Sequence, residues 1–201
     1  MTMTSRTRGW RPLAGWVALW LVGCGGGGDD GSAAAAGAGA VAATPAPTLA
    51  AAASLSTCGL PDFSTTALAR INQYRAAGAQ CGARGAFAAT TALRWDDRLA
   101  QAAGAHSRDM VTNNYFAHDS LDGRTMAQRI TAAGYTWAGL GENIAAGQAT
   151  VNAVVDGWMA SDGHCANLMN PAFVHLGLAC AAGTSATRYS SYWTLDLATP
   201  Q

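Results

Sequence analysis

Two short stretches carry the residue types that could do chemistry. One is Gly139–Gly147, where Glu142 and Asn143 sit in a run of glycine and apolar residues. Glu142 is the only glutamate of the chain, beside eleven aspartates. An acid in such surroundings reads as a partly buried carboxylate with a chosen partner, or as a plain loop acid. The other stretch is Trp158–Asn170, which holds Ser161 and His164 one helical turn apart if a helix runs through both. A serine and a histidine so placed invite a nucleophile–base reading. No nucleophile elbow or convincing oxyanion loop accompanies them, and Gly163 is expected to lie beyond the end of the helix.

The elements that must position these residues follow from periodicity. A helix is expected over 66–77, capped by Ser64 or Thr65 and stopped at Gly78. A second covers 96–113, with Leu99, Ala102, Ala103, His106 and Met110 on one stripe. His106 on that apolar stripe is expected to be a packed histidine bonded to a neighbouring carbonyl, not a ligand. A third helix covers 125–133 and ends at Gly134; a fourth covers 151–159. Residues 141–146 read as a short buried strand, and 175–181 and 189–197 as two strands joined by a turn at 182–185. Helices and strands interleave without a regular βαβ rhythm, which points to an α+β or layered α-β-α arrangement.

Composition bounds the setting. Arg6, Arg8 and Arg11 precede an apolar run from Leu13 to Val22, a signal-peptide pattern too short for an ordinary spanning helix. Leu21-Val22-Gly23-Cys24 looks like a lipobox, so residues 1–23 are expected to be removed and Cys24 acylated; plain secretion is the alternative. Gly25 after the cysteine resembles the pattern that permits outer-membrane sorting in a Gram-negative host. Residues 24–57 then form a Gly/Ala-rich tether, and 58–201 the folded domain. Loss of the leader removes three arginines from a formally neutral chain and leaves 9 − 12 = −3. There is no lysine and no basic cluster, which argues against nucleic-acid binding. Cys58, Cys81, Cys165 and Cys180 make an even set for an exported chain. Of the three possible pairings, Cys58–Cys81 and Cys165–Cys180 are expected because each closes a local loop.

Three motifs stand in order: Phe116-Ala117-His118-Asp119, Gly141-Glu142-Asn143-Ile144, and Trp158-x-x-Ser161-x-Gly163-His164-x-x-Asn167. Together they resemble the bacterial branch of the CAP superfamily (cysteine-rich secretory, antigen 5 and pathogenesis-related 1 proteins). The resemblance implies a three-layer α-β-α sandwich. It also implies a cleft lined by two histidines and a carboxylate that can hold zinc or another divalent cation. Position by position these are His118, His164 and Glu142, which would also be the catalytic set if the protein hydrolyses anything. Ser161 and Asn143 belong to the same ligand cleft, although Asn143 and Asn167 suit tying loops to backbone better than touching ligand. Ser161 occupies the position where eukaryotic relatives carry a second glutamate, so a two-glutamate mechanism is not implied here.

His118, Glu142 and His164 are 24 and 22 residues apart, so only tertiary structure can bring them together. Two imidazoles and a carboxylate would suit zinc with an open coordination position. The leading expectation is a monomeric, membrane-tethered binding module for a lipid or peptide-like ligand. The alternative is a metal-assisted hydrolase acting on peptides or cell-envelope material, and a structural envelope protein comes third.

Overall fold

The computed structural model describes residues 56–201. The leader, Cys24 and most of the tether lie outside the described residues. Within them, helix α1 (Phe63–Ala77) is followed by a small hairpin, β1 (Ala79–Gln80) and β2 (Ala86–Phe87). Then come β3 (Arg94–Trp95), α2 (Asp97–Thr112), α3 (Met126–Ala132), β4 (Trp137–Ala146), α4 (Val151–Met159), α5 (Asp162–Met169), β5 (His175–Ala182) and β6 (Ser191–Pro200). The main sheet has the order β3-β5-β6-β4, parallel only between β3 and β5.

The helix ends follow local chemistry. Asp96 accepts from the Arg98 amide at the start of α2, and Thr150 accepts from Ala153 at the start of α4. Thr125 and Gln128 form a reciprocal capping box on α3. Helix α1 begins earlier than Ser64 or Thr65 would place it, because Phe63 is buried and stacks on Trp193 at 5.9 Å. Packing there outweighs the capping preference.

Alternation along the strands divides the core into two layers. Leu176, Leu178, Trp193, Leu195 and Leu197 pack with Phe63, Ile71, Val154, Val155, Trp158 and Leu168 of α1, α4 and α5. On the opposite face Ala198 packs with Leu99 and Ile130, and Tyr192 with Met110. This is the expected α-β-α sandwich. Helix α2 lies so close to the sheet that a Cβ on Gly177 would stand 2.1 Å from the Ala100 amide nitrogen. Any side chain there would force the layers apart.

The cysteines pair as Cys58–Cys180 and Cys81–Cys165. This corrects the local pairing Cys58–Cys81 and Cys165–Cys180. Helix α1, 15 residues and so about 22 Å long, stands between Cys58 and Cys81, far beyond the reach of about 7 Å between Cα atoms. Cys165 lies on α5 against the small hairpin, whereas Cys180 is in the sheet, where Thr57 bridges to it.

Candidate functional site

The site is built across strand β4, which is an edge of the main sheet. Glu142 and Asn143 are neighbours on it, so their side chains leave by opposite faces. Glu142 faces the α2–α3 side, where the loop between those helices brings His118 to it. The His118 Nδ1 lies 2.7 Å from Glu142 Oε1, and Arg129 of α3 donates from Nη2 to Glu142 Oε2 at 2.6 Å. An ionised carboxylate only accepts, so His118 Nδ1 must be the donor. The Glu142 and Arg129 side chains are buried while His118 is half exposed.

Asn143 faces α5. It is fully buried and donates to the His164 carbonyl at 3.1 Å, while Asn167 donates to the Asn143 Oδ1 at 3.0 Å and to the Glu142 carbonyl at 3.3 Å. Trp158 Nε1 donates to the Ile144 carbonyl at 3.2 Å. Side chains thus occupy edge carbonyls of β4 that no strand pairs, which also blocks edge-to-edge association. Asn143 is therefore a tie beneath the site and not a cleft-lining contact. Gly141 is needed here, since a Cβ would stand 2.8 Å from the Phe173 ring. Gly163 has open space around it and serves no such role.

His164 sits on α5. The expectation that Gly163 lies beyond a helix end fails, because α4 stops at Met159 and a new helix starts at Asp162 after Ser161. His164 Nδ1 and Ser161 Oγ are 3.0 Å apart. Ser161 thus anchors the ring, and no carboxylate among the described hydrogen bonds orients His164 as a base in a triad would require.

Electrostatics follow from this placement. Burial alone would raise the Glu142 carboxyl, but the His118 hydrogen bond and the Arg129 charge outweigh it and hold it below its ordinary value. The same hydrogen bond raises His118 against partial burial. His164 is lowered by burial and then by the nearby charge of His118. His106 is lowered by burial and by Arg129; its Nε2 lies 3.0 Å from the Ala117 carbonyl, the packed role its stripe suggested.

Among the described residues, no group of three or more His, Cys, Asp or Glu side chains is arranged to hold a metal ion. Glu142 spends both oxygens on His118 and Arg129, so it orients an imidazole and does not act as a third ligand as placed. His118 and His164 each have Nδ1 engaged, by Glu142 and by Ser161 respectively, and these are the imidazoles that could serve a cation.

Sequence reasoning missed Arg129 and Asp196. Asp196 lies directly across from Glu142 in the β4–β6 register and is 1% exposed. Its signal was legible as an acid between Leu195 and Leu197 in a strand apolar on both faces. Arg129 had no comparable signal, because a lone arginine on a short helix reads as solvated. A hollow lined by Ser56, Cys58, Arg108, Val111 and Cys180 lies at a disulfide and includes none of these site residues.

Residues 68–197 match the CAP family, the cysteine-rich secretory protein family. The chain belongs to this family. The uncharacterized protein YkwD of Bacillus subtilis (strain 168) is 41% identical over 86 residues, covering 43% of this chain and 34% of the relative. The chain thus spans about a third of that relative's length. Among solved structures, an extracellular protein containing an SCP domain from Bacillus anthracis str. Ames is 35% identical at a TM-score of 0.48, covering 55% of this chain and 34% of that one. An outer surface protein of Borrelia burgdorferi shares 23% identity at a TM-score of 0.50, covering 56% of this chain and 80% of that one.

Proposed function

We propose that this CAP domain works outside the cytoplasm as a membrane-tethered binding module for an amphipathic ligand, lipid or peptide-like. The observation that carries this reading is the composition of the His118 loop. Phe116 (42% exposed) and Leu121 (67%) are the exposed large hydrophobic side chains among the described residues, and both lie within three residues of His118 in the sequence. Phe116 also leans edge-on against Tyr189 at 5.9 Å. An apolar rim beside an oriented imidazole suits a ligand with an apolar body and one polar head. Two disulfides support an extracytoplasmic setting.

The test is mass spectrometry of small molecules that co-purify with the full chain, compared with a Phe116→Ser, Leu121→Ser double variant. An amphipathic compound retained by the wild type and lost from the variant supports the reading. Equal recovery from both excludes this rim.

A second reading is favoured by the two imidazoles with Nδ1 engaged. His118 and His164 would hold a divalent cation, and zinc there would acidify water and polarise a carbonyl. Glu142 would keep His118 aimed, and Arg129 would keep Glu142 ionised. Calorimetric zinc titration, followed by peptide and peptidoglycan substrates with and without chelator, separates a metal-assisted hydrolase from a binding module.

A further inference from the structure

Trp137 opens strand β4, opposite Pro200 in the β4–β6 register. Glu142 stands further along the same strand, roughly 17 Å away at about 3.3 Å per residue. The register slips between Trp137 and Gly139, and a bulge of this kind re-aims the side chain it carries. Plain alternation from Glu142 would send position 137 to the α5 face, together with Gly139 and Gly141. Instead Trp137 packs beside Leu140, Ile130 and Tyr135 on the α3 side. Its Nε1 donates to Thr131 Oγ1 of α3 at 3.1 Å, which fixes the indole while leaving it partly exposed.

Two hollows meet at this indole. One, of about 390 Å³, is lined by Ala127, Gln128, Thr131 and Ala132 with Trp137. The other, of about 370 Å³, is lined by Thr131, Gly134, Tyr135, Thr136 and Gln201 with Trp137. No charged side chain lines either one. Tyr135 is a fixed wall: its hydroxyl meets His175 Nδ1 at 2.7 Å, and Arg98, itself bonded to Asp96, lies over its ring at 4.8 Å. The surface therefore offers an immobilised indole, two alanines, and hydroxyl and amide groups that both donate and accept. A charged ligand would find no counter-charge there, and a purely apolar one would leave those polar groups unpaired. A sugar ring meets both demands, with an apolar C–H face that lies flat on an aromatic ring and hydroxyls at its rim.

We propose that Trp137 is the stacking platform of a saccharide site, which takes a neutral glycan strand across the indole with one ring in each hollow. The Gln128 oxygen is held by the Thr125 amide at 2.9 Å, so the group it gives a sugar hydroxyl is its NH2. The Thr136 hydroxyl and the Gln201 amide serve the second ring. The site is separate from the Phe116 and Leu121 rim and stands whether or not that rim takes a ligand.

NMR of the indole N–H signals of the full chain tests this, by titration with the tetramer of N-acetylglucosamine and, separately, with cellotetraose. The expected result is a saturable shift of the Trp137 signal, with a Kd of about 1 mM or tighter, while the buried Trp158 and Trp193 signals stay in place. A response to the amino-sugar tetramer alone assigns the site to amino-sugar glycans, and a response to both assigns it to neutral saccharides generally. Trp137→Ala should abolish binding, and Gln128→Ala should weaken it about 2- to 10-fold, the worth of one hydrogen bond. A Trp137 signal unmoved by about 10 mM of either tetramer, far above the expected Kd, overturns the proposal, as does undiminished binding by Trp137→Ala. A signal that moves only with protein concentration marks a contact between copies of the chain and overturns it too. Should Trp137→Ala fail to fold, the wild-type titration and Gln128→Ala decide.

Discussion

His118 and Glu142 meet at 2.7 Å, although one lies in the loop after α2 and the other on a sheet edge 24 residues later. Because Oε2 of the same carboxylate takes Arg129 at 2.6 Å, Glu142 is committed on both oxygens. The site is thus an imidazole aimed by a buried ion pair, with a second imidazole held from the other side of β4.

Glu142→Gln should destabilise the fold as well as the site. It leaves Arg129 buried beside a neutral amide, and breaking one side of a buried pair typically costs about 3–5 kcal/mol. Urea denaturation at pH 7 measures this. A cost near zero would mean that Arg129 finds another acceptor.

The histidines should respond to pH with opposite signs. His118 is raised in the folded state, so its contribution is complete below its unfolded value of about 6.5 and is lost as pH rises through the raised value. His106 and His164 are lowered, so their contribution is complete above about 6.5 and is lost as pH falls toward their depressed values. Glu142 is also lowered; its contribution fails at more acid pH, below its ordinary carboxylate value. Denaturation of wild type, His118→Ala and His164→Ala from pH 5.5 to 8.5 should show His118→Ala losing the decline toward alkaline pH. His164→Ala should soften the decline toward acid pH.

Much of this was legible in the sequence. Helix α4 falls on its expected residues 151–159, and the His106 stripe is buried as its spacing implied. The meeting of His118 with Glu142 was implied by the family resemblance the motifs carry, not by local spacing. The local disulfide pairing is wrong, although the expected helix over 66–77 already separates Cys58 from Cys81. Loop length alone was the wrong guide, because a rigid helix spends its length in one direction. Helix α5 is hidden from the sequence because Gly163 reads as a stop, when it lies in the first turn of a new helix beginning at Asp162. Asp196 and Arg129 were missed because their roles depend on strand register and on a helix arriving from another layer.

Non-reducing peptide mapping should recover Cys58–Cys180 and Cys81–Cys165 links. These close loops of about 100 residues, for which the chain-entropy treatment gives about 4.7 kcal/mol each. Cys81→Ser with Cys165→Ser should also free the start of α5 and broaden the His164 resonances. A Cys58–Cys81 fragment would overturn this topology.

The tether makes its own demand. If Cys24 is acylated, the full chain partitions into detergent, since two or more acyl chains anchor stably where one is marginal. Cys24→Ser should abolish that partitioning or leave the leader attached. Wild-type protein that is wholly soluble with an unmodified N-terminus would remove the anchor.

The tautomer of His118 tests the site most directly. Nitrogen-15 NMR of the full chain, at a pH above the His118 midpoint, reports which ring nitrogen carries the proton. The expected result is a proton on Nδ1, donated to Glu142, with Nε2 unprotonated and free to meet a ligand, and loss of that preference in Glu142→Gln. A His118 protonated on Nε2, or one unaffected by Glu142→Gln, would mean that the carboxylate does not aim this imidazole.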